Sequence, residues 1–566
     1  MRAIHLTVLI CFLSLFSAGQ VLSQRIDKAA PKIVYESNVM VTMRDGIRLS
    51  ANIYRPAKEG TYPVILRRTP YGSGDSTNAD GHFFASQNYI FISQDTRGRF
   101  KSEGTFDAFR HEKEDGEDMH RWIAQQNWFN GKLGTQGGSY VGFTQWMPAP
   151  STSNLRGMFT WVSFSSLYEA LYHGGAFHLD FATNWSIDMT RPYTTPTHLI
   201  TDRLMHKLPL IDQDSLWGWR IPFLRDWILH QEKDAFWNKT EITTEYQNIS
   251  ASVYSLGGWF DIFLNGTIDG YTKLAALPKK KARQRHKLVI GPWQHVPGKQ
   301  TAGELDFGKD ALIDLRQMQL NWFDTLLKKI EMEPDTLPPV RIFVMGKNQW
   351  RYENEWPIAR TRYIPYFIGS LQGANSIDGD GTLSPVKSKK AQNKDVYTYN
   401  PLNPVYMPHT TGPYDQSEVE RRKDVLVYTT SPLAKDIEVT GPVKMKIFVS
   451  TNALSTDFTA KLVDVHPNGK AIRICEGILR ITPKANIEKT SQTEPMSYEI
   501  DLWATSNLFK KGHKIRVEIS SSNYPKYFPN PNTNQPFYKA TRTEMARQTI
   551  YHGHKYPSQI LLPVIE

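Results

Sequence analysis

Cysteine is almost absent from this sequence. Its 566 residues hold 2 Cys, Cys11 and Cys475, and Cys11 lies within the first apolar run. Removal of a leader would leave Cys475 alone, so an internal disulfide is excluded, and with it a small disulfide-stapled scaffold. Long apolar stretches are missing too. After Leu6–Phe16 none approaches the roughly 20 residues of a membrane-spanning helix. The 16 His form no H-E-x-x-H pattern and no Cys–His cluster, so neither a metal nor another cofactor is expected. No internal repeat and no nucleic-acid motif occurs, so no nucleic-acid partner is expected. The net charge of +11 is scattered. Its densest cluster, Lys279–Arg285, reads as a solvated loop, leaving at most a weak attraction to acidic envelopes or polysaccharides.

What is present begins with a leader-like start. Arg2 precedes the short apolar run, and Ser17–Ser23 turns small and polar, with Val21 and Ser23 suited to cleavage before Gln24. Residues 1–23 therefore read as a secretion signal. The expectation is an exported protein, periplasmic or secreted, with no stable membrane insertion after cleavage. A membrane anchor is the competing reading.

The remainder is globular in composition, with 40% hydrophobic, 22% charged and 12% aromatic residues, and too long for one core. Alternating runs flank Arg44-Asp45-Gly46 between Ile33 and Pro56, predicting a strand pair. Short apolar runs then end in loops at Pro63–Leu66, Tyr89–Ser93, Lys132–Thr135, Gly157–Phe164, Ser252–Leu256 and Lys287–Ile290. A helical spacing lies between them at Glu114–Gln126. Short buried strands alternating with helices predict a mostly parallel sheet covered on both faces. Residues 150–248 break the rhythm and read as a helical cap inserted into an α/β domain of residues 30–149 and 249–335. Asp310–Lys329 reads as an amphipathic helix with Leu312, Leu315, Trp322, Leu326 and Leu327 inward. Thr336-Leu337-Pro338-Pro339 marks a boundary. From 336 to 566, strand-like runs that start with Val340–Met345 and include Ala471–Cys475 predict an all-β sandwich of jelly-roll type. Cys475 is expected to be a buried apolar residue.

Three segments carry chemistry. Gly137-Gly138-Ser139-Tyr140-Val141-Gly142 follows a strand and precedes a helix, the setting of a nucleophile on a sharp turn. The fit to G-x-S-x-G is imperfect, because the second glycine falls at +3 and Val141 stands at +2. Gly257-Gly258-Trp259-Phe260-Asp261 and Gly291-Pro292-Trp293-Gln294-His295 each follow an apolar strand, so Asp261 and His295 fall at adjacent carboxyl edges of the sheet. A serine hydroxyl attacks only when an imidazole takes its proton and a carboxylate orients that imidazole. The order Ser, Asp, His suits an α/β-hydrolase. Separately, these are a turn serine, a capping aspartate and a loop histidine.

The sequence resembles the cocaine-esterase and α-amino-acid ester hydrolase family, related to the X-Pro dipeptidyl-peptidases, over nearly everything after Ile33. Its marks are Arg68-Thr69-Pro70-Tyr71-Gly72, Gln94-Asp95-Thr96-Arg97-Gly98-Arg99-Phe100 with Ser102-Glu103-Gly104, and Gly138–Gly142 with Thr144-Gln145-Trp146. Tyr172-His173-Gly174-Gly175-Ala176-Phe177 marks the cap, and Ser521-Ser522-Asn523-Tyr524-Pro525 the β domain. The resemblance implies an α/β-hydrolase domain, an inserted helical cap and a C-terminal jelly roll. It implies Ser139 as nucleophile, Asp261 as orienting acid, His295 as base, and an oxyanion hole built from Tyr71 and Tyr140. Asp95, Arg97 and Arg99 are read as a structural, ion-paired loop beneath the site. The carboxylate cluster with which the amino-ester hydrolases hold an ammonium group is missing, since Ile262, Phe263, Leu264 and Asn265 follow Asp261. Glu169 remains as a lone acid, and Trp146, Trp259, Phe263 and Trp293 suggest an apolar pocket. The expected activity is cleavage of a small acyl ester, or an amide, through an acyl-serine. The alternatives are an X-Pro dipeptidyl-peptidase or amino-acyl hydrolase of the same mechanism, and a non-catalytic carbohydrate- or surface-binding protein.

Overall fold

The computed structural model describes residues 32–190, 208–278, 285–330, 337–389, 393–482 and 495–566. Residues 1–23, the cluster from 279 to 284 and Thr336 lie outside these. The first layer is a ten-stranded sheet: β1 (Ile33–Thr42), β2 (Arg48–Pro56), β3 (Tyr62–Thr69), β4 (Ile90–Asp95), β5 (Phe129–Gly138), β6 (Leu155–Trp161), β7 (Ser252–Gly258), β8 (His286–Gly291), β9 (Val340–Val344) and β10 (Gln349–Glu353). Their spatial order is β1-β2-β4-β3-β5-β6-β7-β8-β9-β10. The run from β4 to β9 is parallel, with antiparallel pairs at both ends. All seven residues of β7 and all six of β4 are buried. This is the burial expected of parallel strands covered on two faces. The expected α/β-hydrolase sheet is therefore present.

Three expectations are corrected. Val340–Met345 was assigned to the C-terminal sandwich, but Val340–Ile342 pairs in parallel with Leu288–Ile290, extending the first sheet through β10. The sheets change hands between Glu353 and Arg362. Leu155–Trp161, placed in the cap by a boundary at 150, is a central strand between β5 and β7. The inserted segment thus starts beyond Trp161. It holds the helices Leu167–Leu171, Leu179–Thr190 and Pro222–Leu229, with short 3-10 turns. Finally, the long amphipathic helix is Leu315–Phe323 continued by a wider turn at Asp324–Lys328, after a separate 3-10 turn at Lys309–Ala311. Leu312 falls before its start and is 51% exposed, whereas Trp322 and Leu327 are buried as expected.

Among the described residues, eleven further strands form the sandwich, and all their named pairs but one are antiparallel. Its apolar interior includes Val443, Met445, Ile447, Leu462, Ile474 and Val517. Cys475 is buried there as a free thiol.

The family-marking cap segment Tyr172–Phe177 meets the sandwich just beyond Ser521–Pro525. Phe528 N–H donates to Phe177 O at 3.0 Å and Arg480 N–H to Gly174 O at 2.8 Å, while His173 Nδ1 and the Tyr527 hydroxyl lie 3.0 Å apart. Gly174 has φ +52°, and a Cβ there would stand 2.2 Å from Ile478 O. Only glycine fits that approach.

Candidate active site

The nucleophile turn is built by strain and close packing. Ser139 joins β5 to the helix Tyr140–Trp146 at φ 56°, ψ −126°, a conformation that costs a non-glycine residue about 1–3 kcal/mol. Its surroundings hold it there. Ser139 N–H donates to Trp161 O at 3.0 Å, and Ser139 O accepts from Gly142 N at 2.9 Å, Phe143 N at 3.0 Å and Ser163 Oγ at 2.9 Å. The displaced glycine of the motif is explained by contact: a Cβ on Gly142 would meet Ser163 Oγ at 2.4 Å. In this chain the +3 position, not +2, is the one pressed against the next strand.

Parallel pairing brings the other two loops together. Gly258 of β7 is in register with Gly291 of β8, and Phe260 N–H donates to Trp293 O at 3.0 Å beyond the strands. Asp261 and His295 then project from neighbouring loops. His295 Nδ1 lies 2.7 Å from Asp261 Oδ1, and Nε2 lies 3.0 Å from Ser139 Oγ. The buried carboxylate accepts the Nδ1 proton, which leaves Nε2 free to accept from the serine hydroxyl. Burial lowers the His295 pKa, but the charge and hydrogen bond of Asp261 outweigh it, and the net shift is upward from 6.5. The adjacent Gln294 anchors this loop. Its Nε2 donates to Thr411 O at 3.2 Å and its Oε1 accepts from Gly303 N at 3.3 Å.

On the opposite side of Ser139 stands Tyr71. Its ring is 47% exposed within the cleft, and its hydroxyl accepts from Trp185 Nε1 at 3.1 Å. Desolvation by the cleft walls raises the phenol pKa, partly offset by the polar groups of Trp185 and Ser139 beside it, so the group stays a neutral donor. Tyr140 contributes differently. It opens its helix, where first-turn N–H groups have no intrahelical acceptor. Its own hydroxyl is buried, donating to Glu112 Oε1 at 2.8 Å and accepting from Phe109 N at 2.9 Å. The two residues expected to supply the oxyanion donors, Tyr71 and Tyr140, thus both stand beside the serine.

The loop with Asp95, Arg97 and Arg99 supports this layout. Arg97 pairs with Asp115 at 2.5 Å and Asp45 at 2.6 Å. Asp95 accepts from Ser73 N at 2.5 Å rather than from an arginine. Arg99 donates to Pro70 O at 2.9 Å and Met189 O at 2.8 Å, tying the Tyr71 loop to the cap.

The expected pocket residues divide. Phe263 is at the site, its ring 5.4 Å from the His295 ring and 5.1 Å from Phe181. Trp259 donates to Phe343 O and lines a small, half-open recess behind Asp261 with Thr411, Arg473, Glu476 and Trp503. Trp293 is fully buried and donates to Ala311 O, and Trp146 packs on Tyr246, so both belong to the core. Glu169 is exposed and pairs with Lys233 at 3.3 Å; it is a surface residue. Trp185 was not foreseen, because nothing in the cap sequence around it forms a motif. Away from this site, the hairpin tips of the sandwich bring Asp464, His466 and His513 within 4.8 Å of one another through their side-chain N and O atoms.

A serine, imidazole and carboxylate in hydrogen-bonded series, on a strained turn at the carboxyl edge of a parallel sheet, define a serine hydrolase of the α/β-hydrolase class. The chain belongs to the cocaine esterase and α-amino-acid ester hydrolase family, within the wider S15 group. Residues 45–297 match the model of X-Pro dipeptidyl-peptidase (S15 family), and residues 333–561 that of the X-Pro dipeptidyl-peptidase C-terminal non-catalytic domain. The chain is 35% identical to a cocaine esterase from a Rhodococcus species, over 94% of this chain and 98% of that one. It is 22% identical to a putative serine esterase of Mycobacterium bovis, over 94% and 95%. Among solved structures, an α-amino acid ester hydrolase superposes with a TM-score of 0.79 at 23% identity, covering 98% of this chain and all of the other. An aminopeptidase from a marine sediment Thaumarchaeota archaeon gives a TM-score of 0.80 at 22% identity, over 98% and 99%.

Proposed function

We propose that the protein is an exported serine esterase for a small, uncharged acyl ester, with amides as poorer substrates. The observation that carries this is the continuous series Asp261–His295–Ser139, with the Tyr71 hydroxyl beside the same serine. Ser139 Oγ attacks the ester carbonyl as its proton passes to His295 Nε2. The oxyanion accepts from the Tyr71 hydroxyl and the Tyr140 N–H, one such donor being worth about 3 kcal/mol. Collapse breaks the bond to the alcohol oxygen, which takes the proton from His295 and leaves an acyl-Ser139. Water then gives a proton to His295 and its oxygen to the acyl carbon. Ser139 departs with that proton, and the acid is released.

The preference for an uncharged acyl group rests on the aromatic neighbours of the triad, Phe263 and Trp185, and on Glu169 being engaged by Lys233. An ammonium group buried there without a carboxylate would be costly. The relative named cocaine esterase supports the ester reading. The test is labelling with a fluorophosphonate, followed by a panel of acyl esters, α-amino esters and X-Pro amides. Labelling of the wild type, none of Ser139→Ala, and fastest turnover of uncharged esters are expected. Full labelling of Ser139→Ala would refute the nucleophile, and preference for α-amino or X-Pro substrates would refute the specificity. Export rests on residues 1–23, and the N-terminus of secreted material should read from Gln24.

A further inference from the structure

We propose that Asp464, His466 and His513 form a binding site for one divalent transition-metal ion, with zinc as the best match. The site is remote in sequence from the catalytic loops and is made by two neighbouring hairpins. The strand Thr456–Val465 turns into Ala471–Ile481, and the strand Met496–Phe509 turns into Lys514–Ser520. Asp464 is in register with Ile515 and Val465 with Lys514, so His513 sits just past the paired segment, beside the first turn. Asp464 and His466 are two residues apart in chain that is still extended, so both face the same side. The turn is closed by His466 N–H to Lys470 O at 2.8 Å and Gly469 N–H to His466 O at 2.9 Å.

The ligand atoms converge. His513 Nδ1 is 2.8 Å from Asp464 Oδ1, His466 Nε2 is 3.9 Å from Asp464 Oδ2, and the two imidazole rings stand 4.6 Å apart. All three ligand atoms fit within 4.8 Å. Around a tetrahedral zinc at about 2.0–2.1 Å from nitrogen, neighbouring ligand atoms lie roughly 3.4 Å apart, so modest side-chain rotations close the site. The charge pattern agrees. Asp464 is buried, and its ion-pair partners among the described residues are these two histidines. Nearby Lys470 is drawn away by Glu304 at 2.6 Å. Two imidazoles and one carboxylate suit a borderline cation, and three protein ligands leave a fourth position for water. The His466 side chain, 28% accessible, gives the ion an entry path.

The experiment is a zinc titration of the full-length protein against a chromogenic chelator, with wild type, Ser139→Ala, His466→Gln and the double variant His466→Gln/His513→Gln. One zinc per chain with micromolar or tighter affinity is expected for wild type and Ser139→Ala. Each histidine variant should bind at least ~100-fold more weakly, as three-ligand sites depend on every ligand. A crystal grown with zinc should show an anomalous peak among the three side chains, a readout that holds even if the variants fold poorly. No stoichiometric binding, equal binding by the double variant, or a peak elsewhere would overturn the proposal.

Discussion

Tyr71→Phe removes a single hydroxyl. The ring keeps its edge contact with Tyr140, 6.4 Å between centroids, and the loop keeps its Arg99 bond to Pro70 O. What disappears is the donor facing Ser139, together with the acceptor of the Trp185 indole N–H. In the wild type, Trp185 Nε1 occupies one lone pair of the Tyr71 oxygen, which orients the remaining O–H toward the serine side. Because an oxyanion exists only in the transition state and the tetrahedral intermediate, the loss falls on kcat and leaves KM nearly unchanged. One donor at about 3 kcal/mol corresponds to a fall of about 10²–10³-fold. The Tyr140 N–H remains and sustains the residual rate. Trp185→Phe removes only the orienting bond and should cost less, on the order of 10-fold, with the same KM. The assay is steady-state hydrolysis of a chromogenic acyl ester, with fluorophosphonate labelling to count competent serines. If Tyr71→Phe retains nearly full kcat, the oxyanion is held by backbone donors alone.

Three further outcomes follow from the geometry. Activity should rise with pH through one ionisation above 6.5, the direction in which Asp261 moves His295, because the base must be neutral. The stabilising effect of the imidazolium runs the other way, being full below the unfolded pKa and lost as pH climbs through the folded one. A kcat/KM that is flat from about pH 5 to 8 would exclude His295 as base. Arg97→Met strips the buried Asp115 of its partner and should lower stability by about 3–5 kcal/mol in urea unfolding, while the folded fraction keeps kcat within a few-fold; an unchanged midpoint would refute this. Glu169→Gln should leave kcat/KM unchanged for both neutral and α-amino esters, and a selective loss on amino esters would restore Glu169 to the site.

The triad was legible because its chemistry is tied to backbone position. A strand ending in Gly257-Gly258 announces the loop that carries Asp261, one ending in Gly291-Pro292 announces that of His295, and a hydroxyl just after Gly137-Gly138 announces the turn. The pocket was not legible in the same way. Trp293 sits one residue past a glycine–proline step, as an active-site tryptophan could. Yet its ring lies over Gly291, where a Cβ would be 2.4 Å from Cζ3, and its N–H is used by Ala311 O. An aromatic residue beside a glycine reads the same whether it faces a cleft or fills a core. Val340–Val344 reads as a short apolar strand that either sheet could take, and only its partner Leu288–Ile290 shows that it belongs to the first. His513 lies 49 residues from Asp464, a separation no local motif spans.

The attachment of Gln294 to Thr411 has a consequence for when the enzyme becomes active. Thr411 belongs to a segment whose carbonyls, His409 O and Gly412 O, are gripped by Arg473 at 3.0 and 2.9 Å. Ser139 and its turn are complete once the first sheet and its early helices exist. The histidine loop gains its brace only after residue 473 has been made and its strand has docked. During synthesis, then, the proton acceptor emerges 156 residues after the nucleophile, and the arginine that braces its loop emerges later still. A chain cut before Arg473 would lose that brace and should set His295 less well, so the C-terminal sandwich contributes to the reactivity of a triad that lies wholly outside it.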